Sequence, residues 1–213
     1  MDFWHSRWEN SQHGWHEADG NVSLRKYWPR LAAGSRVLVP LCGKSVDLLW
    51  LAKQGCEVTG VELSEIAARS FFEEAGLQHE YDKTDGFSWF RNRDAGIAIA
   101  CGNYFEFSDQ PFDALYDRAS LVALPPKKRP QYIRQTKKIL KPGAKQLLLT
   151  LEYDDANIEG PPFSVLADEV LGYWPGLQRV HEHNDIDNSP PKFREVGVNE
   201  VIEVVWAGPA TGP

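Results

Sequence analysis

The chain reads as a doubly wound α/β domain: a mostly parallel sheet of about seven strands with helices on both faces. Short apolar runs (VLVPL, VTGVE, IAIAC, QLLLTLE) recur along its 213 residues, and near-continuous apolar strands are strands buried on both faces. Helical segments alternate with these runs, the pattern of βαβ units. Glycines at 55 and 76 and Lys141-Pro142-Gly143 fall where those helices should stop.

In order, residues 3–16 could form a helix with Trp4 and Trp8 on one face. A helix over Asn21–Leu31 ends at Ala33-Gly34, and Arg36–Leu41 is a buried strand. Val46–Gln54 is helical, with Leu48, Leu49 and Leu51 inward. Glu57–Glu62 is the next strand, and Ser64 sits at the N-cap of a helix over Glu65–Ala75. Tyr81–Trp89 reads as irregular. Ala95–Cys101 and Phe112–Tyr116 are strands, Lys127–Leu140 a helix, Gln146–Glu152 a strand and Pro161–Tyr173 helical. Two closing strands, near Gln178–His183 and Asn199–Trp206, suit an antiparallel pair. Residues 1–213 thus form one domain, with 1–33 as an N-terminal helical cap.

Composition removes several functions. The formal charge is −7 and the only basic cluster lies around Lys127–Arg129, which disfavours nucleic acid as a partner. No apolar run spans a bilayer, and the N-terminus lacks a basic segment followed by an apolar one. Cys42, Cys56 and Cys101 form no CxxC and fit free thiols in a reducing cytoplasm. His13 and His16 lack further ligands, so no metal is expected. A monomer is the expected state.

In a doubly wound sheet the ligand lies beyond the carboxyl ends of the strands. The segment VLVPLCGKS ends one such strand. A phosphate loop would need a glycine at position 38, which is Leu38, and Pro40 removes a backbone N–H. The GxGxxG array for a pyrophosphate is also missing. Glu62 ends the next strand, at the distance where an acid grips ribose hydroxyls; the alternative is an exposed acid at the next helix N-terminus. A ribose-binding acid beside a turn unfit for pyrophosphate points to S-adenosylmethionine.

Four of the eight tryptophans fall in the first 28 residues. An indole face attracts a sulfonium by roughly 0.5–2 kcal/mol when water is excluded; packing of Trp4 and Trp8 onto the core is the alternative. Arg118 follows a strand and would set a guanidinium over the site mouth, unless it only pairs with Asp117 or Asp113. Leu124-Pro125-Pro126 lacks the polar and aromatic residues of amino-methyltransferase motifs, which argues against nitrogen as acceptor. Cys42 and Cys101 sit at strand ends without an evident histidine partner and read as packing residues.

Taken together, FWHSRW (3–8), VLVPLCGKSVDLLWLAKQG (37–55), VTGVELSE (58–65), YDRASLVALPP (116–126) and GPPF (160–163) resemble the thiopurine S-methyltransferase family, its bacterial branch in particular. The resemblance spans nearly the whole chain. It implies a class I methyltransferase fold and methyl transfer from S-adenosylmethionine to the sulfur of an aromatic or heterocyclic thiol. Bacterial members are also associated with selenium and tellurium species. By matching motifs, the cofactor would meet Trp8, Leu41, Glu62, Asn103 and Arg118, with Arg118 also at the reacting sulfur. Trp15 matches an aromatic at the substrate mouth. Vertebrate relatives carry a second arginine near the C-terminus; here Lys192 takes that place, with Arg194 nearby. Rival readings are a nucleotide-dependent oxidoreductase and a non-catalytic nucleoside-binding module.

Overall fold

The computed structural model describes residues 8, 19–118, 120–154 and 158–210. Its strands are β1 (Arg36–Pro40), β2 (Glu57–Glu62), β3 (Glu80–Thr84), β4 (Phe87–Asn92), β5 (Ile97–Cys101), β6 (Phe112–Arg118), β7 (Leu140–Glu152), β8 (Gln178–Asn184) and β9 (Ile202–Pro209). They form one sheet in the order β3-β4-β5-β2-β1-β6-β7-β9-β8. Strands β5, β2, β1, β6 and β7 run parallel, and the β9 and β8 pairings are antiparallel.

The sheet therefore has nine strands rather than about seven. The two extra strands, β3 and β4, form an antiparallel hairpin on β5 where the sequence reading expects irregular chain. Asp85 and Gly86 both take positive φ, 54° and 80°, as the two-residue turn of a twisted hairpin requires. The hairpin escaped notice because β3 is exposed at all five positions and shows no apolar alternation. Asp-Gly was the signal that could have found it.

Alternating strand residues build two cores. Leu38, Leu115, Leu148, Val204 and Trp206 face one side and meet α4 (Arg129–Ile139) and α5 (Ala167–Tyr173). Val37, Val39, Ala114, Tyr116, Leu147 and Leu149 face the other and meet α1 (Val22–Tyr27), α2 (Asp47–Lys53) and α3 (Glu65–Glu74). A short α6 (Lys192–Glu195) precedes β9.

Two helices are shorter than the sequence reading. The first ends at Tyr27 because Pro29 drives Trp28 into extended backbone, with φ −60° and ψ 129°. The other begins only at Ala167, and the prolines at 161 and 162 lie in the preceding loop. Strand β7 starts earlier than expected, at Leu140, because the chain resumes extended pairing through a bulge around Lys141-Pro142-Gly143.

One position of β2 controls how closely the β1 exit can pack. A Cβ on Gly60 would lie 2.6 Å from Cys42 Sγ and 3.1 Å from Leu48 Cδ2, so only glycine lets the turn after β1 rest on the sheet. Gly60→Ala should lower stability by about 2 kcal/mol through overpacking, read as an earlier urea midpoint with unchanged slope. An unchanged midpoint would show that Cys42 can withdraw freely.

Candidate functional site

The direction in which the chain adds strands reverses between β1 and β6. From β1 the chain winds outward through β2 to β5, then returns to the other side of β1 as β6. The crevice at the carboxyl ends of β1 and β6 is the topological switch point. Leu41, Glu62, Asn103 and Arg118 all lie at or just past the carboxyl ends of β1, β2, β5 and β6.

Glu62 is buried, not the exposed acid of the alternative reading. Gly43 N–H donates to its Oε2 at 2.9 Å, and Ser64 N–H donates to its Oε1 at 3.0 Å. Ser64 keeps its N-cap position but makes no side-chain capping bond. Gly102 N–H donates to the Glu62 carbonyl at 2.8 Å, which ties the β5 exit to the β2 exit. Asn103 then starts a 3₁₀ turn: its Oδ1 accepts from Phe105 N–H at 3.2 Å and its Nδ2 donates to Glu106 at 2.8 Å.

These contacts explain the behaviour of the GKS triplet. The Gly43 N–H that a phosphate loop would turn on its ligand goes to a carboxylate. Asp47, also buried, opens α2 where a phosphate would need the helix N-terminus. The Lys44 ammonium turns away to Glu74 of α3, at 2.6 Å. Two carboxylates at one turn repel phosphate, so the site fits a nucleoside without a phosphate chain.

Leu41 is the strained point. Its φ of 48° lies in the left-handed region, which costs a branched L-residue about 1–2 kcal/mol. Cys42 N–H donates to the Val61 carbonyl at 3.2 Å on one flank, and Ser120 Oγ donates to the Pro40 carbonyl at 2.7 Å on the other.

Arg118 ends β6 beside a buried polar hub. Asp117 accepts from Tyr132 Oη at 2.6 Å, Ser120 N–H at 3.2 Å and Leu121 N–H at 3.4 Å. Burial raises the Asp117 pKa, and these donors oppose the rise. Tyr104 and Thr136 extend the network at 2.7 Å. Burial, with Glu62 adding, pushes the Cys42 and Cys101 thiols up, so both stay neutral and are poor nucleophiles.

Trp8 is helical and buried. Trp4 and Trp15 lie outside the described residues. The cap's far end is pinned: Asn21 N–H donates to Asp47 at 2.8 Å, while the other Asp47 oxygen accepts from Tyr116 Oη at 2.9 Å. Lys192 donates to the carbonyls of Glu159 and Pro161 at 2.6 and 2.9 Å. That loop packs at the carboxyl end of β7, where Val165 N–H meets the Leu151 carbonyl at 2.8 Å. Arg194 points outward and pairs with Asp187. Sequence reasoning did not single out Asp47 or Ser120, although both lie inside motifs it quoted. It weighed Asp117 only as a strand-end position and a partner for Arg118, whereas Asp117 accepts from Tyr132, Ser120 and Leu121. No cluster of three metal-ligating side chains occurs among the described residues.

A parallel core of this order, with the last strand β9 inserted antiparallel between β7 and β8, defines the class I methyltransferase fold. Solved structures share it: a Burkholderia thailandensis 1,6-didemethyltoxoflavin N1-methyltransferase superposes with TM-score 0.65 at 16% identity, covering 99% of this chain and 86% of that one. The [4+2]-cyclase SpnF gives 0.60 at 15%, covering 86% and 77%. The thiopurine S-methyltransferase family model matches residues 1–208. The thiopurine S-methyltransferase of Pseudomonas syringae pv. tomato is 44% identical over 214 residues, spanning 96% of both chains, and one from Pseudomonas aeruginosa is 44% identical over 212. The chain belongs to the thiopurine S-methyltransferase family and is by that membership a methyltransferase.

Glu62→Gln should separate its two structural bonds, because the two N–H groups meet different carboxylate oxygens and in glutamine one of these becomes an NH₂ that cannot accept. We expect a loss of about 1–3 kcal/mol in urea denaturation without ligand. A variant as stable as wild type would remove Glu62 from its place as the tie between β1 and β2.

Proposed function

We propose that this enzyme transfers a methyl group from S-adenosylmethionine to the sulfur of an aromatic or heterocyclic thiol of the thiopurine kind. The observation that carries this reading is the Gly43–Glu62 bond at 2.9 Å, which commits the glycine turn to a carboxylate and so to a ligand without phosphates. It also weighs against a dinucleotide-dependent oxidoreductase.

Glu62, at the carboxyl end of β2, would hold the ribose diol. Asn103 would flank the adenine, Leu41 the amino-acid tail, and Trp8 would shield the reacting centre from water. When bound, S-adenosylmethionine supplies an electrophilic methyl on a sulfonium leaving group. Arg118 would hold the acceptor as its thiolate, since a fixed guanidinium favours the anion. Orientation then supplies most of the rate, and no covalent protein intermediate is needed. The N-terminal segment would cap the site; Trp15 and Lys192 would border the acceptor, with Arg194 further out. Selenium and tellurium anions are soft nucleophiles that could use the same arrangement. Edge strands β3 and β8, rich in charged and histidine side chains, discourage edge-to-edge pairing and suit a monomer. The three buried free thiols suit the cytoplasm.

The direct test is methyl-labelled S-adenosylmethionine with a panel of heteroaromatic thiols, selenite, tellurite and catechols. Labelled thioether from the thiols supports the reading, and binding without transfer to any acceptor would sink it. Arg118→Ala should lower turnover by about 100-fold or more while changing cofactor affinity only a few-fold. Its pH–rate profile should move to higher pH, because the acceptor thiol loses the cation that favours its ionised form. An unmoved profile would rule out thiolate stabilisation.

A further inference from the structure

Ser120 is fully buried and spends its hydroxyl on a backbone carbonyl eighty residues earlier, Pro40, at 2.7 Å. The methyl-transfer scheme gives it no task. That carbonyl immediately precedes Leu41, the strained residue of the β1 exit.

Two planar trans peptides determine what the strain does. In the peptide joining Pro40 to Leu41, the carbonyl is held toward Ser120, on the β6 side. In the peptide joining Leu41 to Cys42, the N–H is held toward β2 by the Val61 carbonyl at 3.2 Å. C=O and N–H of a trans peptide point in opposite directions. The Leu41 carbonyl therefore points away from β2, toward the crevice between β1 and β6. In an extended strand successive carbonyls alternate sides; here the left-handed Leu41 turns two of them the same way. With the Pro40 carbonyl taken by Ser120, the Leu41 carbonyl on that side of the switch point is a seat for a cation. The cation available in an amino-acid tail is its α-ammonium.

We propose that Ser120 is a positioning residue for the cofactor's amino-acid tail: its bond to Pro40 holds Leu41 left-handed, so that the Leu41 carbonyl accepts from the tail ammonium. Asp117 supports Ser120 in turn, accepting the Ser120 N–H at 3.2 Å. This rests on the S-adenosylmethionine reading above and adds a second element to it, a residue that recognises the tail without touching it.

The test compares two ligands that share adenosine and a thioether but differ in the tail. S-Adenosylhomocysteine carries the amino-acid tail, and 5′-methylthioadenosine does not. By calorimetry, Ser120→Ala should weaken S-adenosylhomocysteine about tenfold or more and leave 5′-methylthioadenosine unchanged. Equal weakening of both ligands, or of neither, would overturn the positioning role. Wild-type protein that binds neither ligand would instead defeat the nucleoside reading itself. Because Ser120→Ala also orphans a buried carbonyl, Ser120→Cys, which keeps a weaker donor, is read by the same ratio and should fall between. Leu41→Gly adds a separate check. Glycine adopts the left-handed conformation without strain, so the Ser120→Ala penalty on S-adenosylhomocysteine should shrink in that background, and an undiminished penalty would count against the proposal.

Discussion

A buried carboxylate must find donors, and for Glu62 they are two backbone N–H groups, Gly43 at 2.9 Å and Ser64 at 3.0 Å. Those bonds join the exits of β1 and β2 to the start of α3. Much else follows from that constraint. The glycine turn cannot also serve a phosphate, because its N–H is committed and its electrostatic field is negative. Lys44 is released to Glu74, and the β5 exit follows through Gly102. The Glu62 carboxylate thus lies buried at the carboxyl end of β2, beside the switch point.

The opposite wall of the crevice uses the same device. Asp117 is buried and gathers a tyrosine hydroxyl and two N–H groups from the turn after β6. That turn in turn reaches across to Pro40. Two carboxylates thus hold the exits of β1, β2 and β6 in a fixed relation, and the strain at Leu41 is retained because bonds on both flanks over-determine it. Such a frame fixes the strand exits that border the switch point. Helix α1 is joined to this frame at Asn21, through Asp47.

Much of this was legible as pattern. Apolar runs marked the central strands, and strand-end logic placed Glu62, Leu41, Asn103 and Arg118 on one rim. The absence of glycines at 38 and elsewhere near the turn excluded phosphates before any contact was seen. The β3–β4 hairpin was not legible, because an exposed edge strand carries no hydrophobic period. The helix boundaries at Tyr27 and Ala167 moved because prolines restrict the residues around them more sharply than amphipathic periodicity reveals.

Alone, the sequence determined which residue types fall at the strand ends: one acid ending β2, one arginine ending β6, a glycine turn without its phosphate array, and aromatics ahead of the first strand. Those features depend on residue type and position along a strand, which are local. Only the tertiary structure decided how they are held. Ser120 meets Pro40 across eighty residues, and Asp47 meets Tyr116 across sixty-nine. No local period encodes such pairs. A serine or aspartate in a loop looks the same in the sequence whether it faces solvent or bridges two strands, because what separates the two cases is the desolvation that the finished sheet imposes.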